Sequence, residues 1–102
     1  MNRVYKYILP LEDEVSMGLP RGSRILSVGT QPAFQHGICV WVLLDPDVKE
    51  KVVHYFRIAG TGHPVDPEWT RFIGTVIMAN GELVFHVFTK DIYDVRELEC
   101  KR

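Results

Sequence analysis

Apolar positions recur at every second residue along most of this chain, and β-branched or aromatic side chains fill many of them. That period predicts strands over 3–9, 14–19, 24–31, 37–45, 51–59, 70–79 and 82–89. Breakers separate the runs: Pro10, then "PRGS", "PAFQHG", "DPDVKE" and "GTGHPVDPEW". In "DPEW", Asp66 suits a cap and Pro67 a first helical position, which predicts a short helix or turn. Residues 91–102 read as a short helix or a tail, since Asp91 suits a cap and Ile92, Val95 and Leu98 share a helical face. The expectation is an all-β fold, a small antiparallel barrel or sandwich of about seven strands with one or two short helical turns, forming a single domain over 1–102.

One junction can be read at residue level. Asn80-Gly81 between alternating runs predicts a two-residue type I′ turn, because both central residues must adopt positive φ. Such a turn fixes the register. One face of the hairpin then carries Met78/Leu83, Val76/Phe85, Gly74/Val87 and Phe72/Thr89. The other carries Ile77/Val84, Thr75/His86, Ile73/Phe88 and Arg71/Lys90. Both faces are largely apolar, which a hairpin with one wet face should not be. "GICVWVLLD" repeats the observation. Ile73, Thr75, Ile77, Val84, His86 and Phe88 are therefore expected to form an interface with a second copy. A monomeric barrel is the alternative.

Composition narrows the class. The chain has 102 residues, 46% hydrophobic and 25% charged, as a single globular domain has. Its formal charge of −1 gives no general attraction to nucleic acid or anionic membrane. Cys39 and Cys100 make neither a disulfide framework nor a zinc spacing, which fits a reduced compartment. No apolar run approaches the roughly 20 residues of a membrane-spanning helix. The expectation is a soluble cytoplasmic protein.

The chemistry concentrates in Gly60-Thr61-Gly62-His63-Pro64. Glycines flanking a threonine allow successive N–H groups to point into one concavity, with a hydroxyl and an imidazole beside them. Arg57 precedes the loop and Arg71 follows it. The set Arg57, Thr61, Gly62, His63 and Arg71 suits a small anion, while a stiff strand exit is the plainer reading. A lone G-x-G is no dinucleotide fingerprint, and no P-loop or nucleophile elbow occurs. His36, His54, His63 and His86 lack metal-ligand spacing, so no metal, cofactor or catalytic residue is expected. The rings of Tyr5, Tyr7, Trp41, Tyr55, Phe56 and Trp69 lack the interleaved basic residues of a nucleic-acid reader.

"RVYKYILPLEDEVSMGLPRGSRILSV", "CVWVLLDP", "YFRIAGTGHPV" and "RFIGTVIMANGELVFHVF" together resemble a family of small proteins encoded by bacteriophages and prophages. The likeness covers residues 3–89, with "GTGHP" and the "GELVFHVF" ending its most specific parts; residues 91–102 exceed it. The resemblance implies an origin and a host-cytoplasmic location rather than a reaction. It suits a non-enzymatic accessory binding module, homo-oligomeric, that holds or sequesters a small anionic, nucleotide-like ligand. The alternative is an inhibitor or virion protein that lays an apolar sheet face on a host or phage protein.

Overall fold

Each predicted alternation forms a strand in the computed structural model, which describes residues 1–31 and 34–90. The helix-or-tail reading of 91–102 lies outside the described residues. The strands are β1 (Arg3–Pro10), β2 (Glu14–Pro20), β3 (Arg24–Gln31), β4 (Phe34–Leu44), β5 (Lys51–Gly60), β6 (Arg71–Met78) and β7 (Leu83–Thr89). They make two antiparallel sheets, a three-stranded one in the order β1-β4-β3 and a four-stranded one in the order β2-β5-β7-β6. The architecture is a sandwich and not a closed barrel. Among the described residues there is one 3₁₀ turn, at Ala79–Gly81, where the hairpin turn and not a helical one is expected. The Asp66–Trp69 stretch is a turn, closed by the Trp69 N–H donating to the Asp66 carbonyl at 3.0 Å. Among the described residues, no helix is long and apolar enough to cross a membrane.

The core lies between the sheets and is built by period two. Ile38, Val40, Val42 and Leu44 project from β4 toward Phe56 and Ile58 of β5, Val76 and Met78 of β6, and Val87 of β7. Leu9 and Leu19 seal it from β1 and β2, and both are fully buried. Burying a side chain of this size contributes about 1.5–3 kcal/mol, so the inward set supplies most of the driving force. Cys39 is also buried, as a free thiol among apolar neighbours.

Two sequence expectations need correction. The run "PAFQHG" is not a break throughout, since β4 already begins at Phe34, opposite Gln31. Gly37 sits inside that strand because a Cβ there would meet Ile8 Cγ2 at 2.6 Å and the Leu9 carbonyl oxygen at 2.7 Å. Close backbone approach, not a turn, requires this glycine.

The second correction concerns the β6–β7 hairpin. Its turn is as predicted: Asn80 has φ 56° and ψ 35°, Gly81 has φ 92°, and the Glu82 N–H donates to the Ala79 carbonyl at 3.1 Å. Met78/Leu83, Ile77/Val84, Val76/Phe85, Thr75/His86 and Gly74/Val87 pair as expected. The register then shifts, and Phe72 pairs with Phe88 and Arg71 with Thr89. Ile73 is the extra residue of a β-bulge and has no partner across the ladder. The expected pairs Ile73/Phe88, Phe72/Thr89 and Arg71/Lys90 do not form, and Phe72 moves to the outer face.

The strand order sets up the rest. β5 and β6 are each antiparallel to β7, which lies between them, so they are parallel to each other. The chain must return from the end of β5 to the start of β6 through residues 61–70. The inner face is occupied by the core, so the return runs along the outer side of the four-stranded sheet.

Candidate functional site

The crossing begins with a tight turn. The His63 N–H donates to the Gly60 carbonyl at 3.0 Å, and Gly62 has φ 90°, the positive value that a type II turn needs at its second central residue. The turn folds the His63 ring back on the strand. A Cβ on Gly60 would lie 3.1 Å from His63 Cε1, so the imidazole packs where a side chain would otherwise stand. The two glycines thus have separate reasons, one conformational and one steric.

Arg57 pins the crossing to the sheet. Its guanidinium donates to the carbonyls of Ile58 (2.8 Å), Pro64 (2.9 Å) and Asp13 (3.1 Å), and stands 3.6 Å from the Asp13 carboxylate. Farther along, Trp69 is buried under the Lys90 ammonium, which lies 4.7 Å from the Trp69 ring and 4.9 Å from the Tyr55 ring. Glu68 closes this end, 3.7 Å from Lys90. The cation lies over two ring faces, the geometry of cation–π attraction.

Between the crossing and the outer face opens a cleft of about 290 Å³, lined by Ala59, Gly60, Thr61, Gly62, His63, Val65, His86 and Phe88. His86 stands between Ala59 and Thr75 across the ladders. Its Nε2 lies 2.8 Å from Thr61 Oγ1 and its Nδ1 2.9 Å from Thr75 Oγ1. A neutral imidazole donates from one nitrogen and accepts at the other, so one hydroxyl accepts from the ring while the other donates to it. A tautomer change exchanges the two roles. Phe88 is braced by Phe72, whose ring meets it edge-on at 5.4 Å between centroids and 60° between planes. A second hollow of about 280 Å³ lies against Arg57, Pro64 and Trp69, with Asp13, Glu14, Asp66 and Glu68 around it.

The structure thus brings together Thr61, Gly62 and His63 and adds His86 and Phe88, which the sequence assigned to an interface. Arg57 reaches the loop at the Pro64 carbonyl but, like Arg71, does not line the cleft. Arg57 is a strut whose donors face carbonyls. Arg71 pairs with Thr89, the neighbour of Phe88 on β7, and so lies on the opposite face of the sheet from Phe88 and His86. Of the expected interface residues, Thr75, Ile77, Val84, His86 and Phe88 share the outer face, and Ile73 leaves the set as the bulge. Sequence reasoning missed Phe72, because nothing in "TRFIGTV" but the glycine signals a bulge. Among the described residues, no group of three or more His, Cys, Asp or Glu side chains is arranged to hold a metal ion.

Fold and cleft together define a small two-sheet sandwich whose crossover loop is clamped over one outer face. The chain belongs to the family described as a domain of unknown function (DUF7352), whose model matches residues 1–96. No curated protein matches it, and no solved structure does.

Proposed function

We propose that this protein is a non-enzymatic binding module of the accessory type that phages and prophages encode. It acts as a homo-oligomer and holds a small nucleotide-like ligand in the cleft beneath residues 60–65. The observation that carries this reading is the fixation of His86. Both its ring nitrogens are engaged by threonine hydroxyls, which fix the plane and the position of the ring. An imidazole tied at both ends forms part of a preset wall, which suits a binding site.

The homo-oligomer is supported by Phe72 and Ile77, 57% and 60% exposed on the same outer face as Val84 and Phe88. Large apolar side chains grouped this way mark interaction surfaces. The test is native mass spectrometry of full-length protein purified from the expressing cell. The expected result is an oligomer carrying a reproducible small-molecule mass, lost in Thr61→Val and His63→Ala. A bare oligomer overturns the ligand half of the reading. A bare monomer leaves the apolar face for a protein partner and overturns both halves.

A further inference from the structure

We propose that the cleft recognises its ligand through a single planar heteroaromatic ring of nucleobase size, and not through an anionic group. The inference rests on the preceding reading that the cleft is the binding site, and adds the class of chemical group that enters it.

Size sets the first limit. Sites for drug-sized molecules begin at about 300 Å³, and this cleft measures about 290 Å³. It has room for one ring system and its first substituents, not for an extended chain. The walls set the second limit. Three of the lining residues, His63, His86 and Phe88, carry flat rings, and Ala59 and Val65 add apolar surface between them. None of the lining residues is Lys or Arg. The nearest guanidinium, on Arg57, is directed at the carbonyls of Asp13, Ile58 and Pro64. Desolvating an oxyanion here without a cation would be costly, whereas stacking a π-face costs little.

The rings are also held in place before anything binds. Thr61 and Thr75 fix both edges of His86, Phe72 meets Phe88 edge-on, and Gly60 leaves the space into which His63 folds. A site whose walls are already set loses little entropy when a flat group enters. Polar selection then falls to the Thr61 hydroxyl at the rim. Because His86 can exchange tautomers, that hydroxyl can present either its proton or its lone pairs to the edge of the ring. Such a site reads the shape of a heterocycle more strictly than its donor and acceptor pattern.

The test uses full-length protein labelled with ¹³C and ¹⁵N. Adenosine and cytidine serve as ring probes without phosphate, and ribose 5-phosphate and inorganic phosphate as anion probes without a base. Saturable shifts of the His63, His86 and Phe88 ring signals with the nucleosides, and none with the anions, are expected. Phe88→Ala should weaken nucleoside binding by at least about fivefold, the lower end for loss of one base-stacking ring. His63→Ala alters only an exposed side chain, so it tests the same wall in a variant that keeps its fold, and it should also weaken binding. Equal shifts with ribose 5-phosphate or phosphate overturn the proposal and leave the cleft as the binding site. No shift with any probe also overturns it; a retained mass that Thr61→Val removes would then still place the site in the cleft.

Discussion

His54 faces Met17 across the β2–β5 ladder, on the same side of β5 as buried Phe56. Burial there disfavours the imidazolium and pulls the His54 pKa below its ordinary value of 6.5. The unfolded chain therefore binds a proton at a pH where the folded chain does not. The stability this provides is complete above about 6.5 and is lost as pH falls through the depressed folded value. Unfolding free energy measured in urea from about pH 7.5 down to about pH 5 should fall more steeply for the natural protein than for His54→Gln. Equal slopes would show that the ring leaves the core before it titrates. The turns carry a second lesson at this scale. Gly62, at φ 90°, is where a side chain would be strained, while Ala79, at φ 51°, holds a left-handed conformation without being glycine. A left-handed alanine costs about 1–2 kcal/mol, so the Ala79 strain is stored at the tip of the hairpin whose register builds the cleft.

At the scale of elements, the strands were legible because each needs only local alternation. β2, β3 and β5 fall within a residue of their predicted limits. The register of β6 against β7 was legible from Asn80-Gly81 back to Gly74, since a two-residue turn propagates pair by pair. It failed at Ile73 because a bulge is decided by tertiary packing, and a Cβ on Gly74 would already meet Val28 Cγ2 of β3 at 3.0 Å. The glycine motif lines the cleft, whereas His86 is not legible from the loop's own sequence, because only strand order brings it there. Arg57, close to the loop in sequence, acts as a strut. It joins β5, the β1–β2 turn and the crossing loop through three carbonyls, a forked geometry that lysine does not reproduce. Arg57→Lys should therefore lower stability by about 1–3 kcal/mol, the loss of charged hydrogen bonds that are partly open to solvent. Were Arg57 instead an anion ligand, the lysine variant would keep its stability and lose only affinity. A denaturant melt separates the two.

At the scale of the molecule, the two outer faces differ in kind. The outer face of the three-stranded sheet interrupts Val4 and Ile8 with Lys6, whose ammonium donates to Gln31 Oε1 at 2.7 Å. Charge placed along a strand in this way discourages pairing with another sheet. The outer face of the four-stranded sheet carries Phe72, Ile77, Val84 and Phe88 with no charged residue among their cross-strand partners other than Arg57, which is turned to carbonyls. If copies associate, they should do so here, beside the cleft, and the partner would then cover part of its mouth. Ile77→Arg should convert the oligomer to monomer in sedimentation equilibrium without unfolding it, because Ile77 is 60% exposed. Ile8→Arg, on the opposite sheet, should leave the subunit number unchanged. Nucleoside affinity then tells whether the assembly completes the site: a monomeric Ile77→Arg that binds as the oligomer does would confine recognition to one chain's cleft, and one that binds more weakly would make the second copy part of its wall.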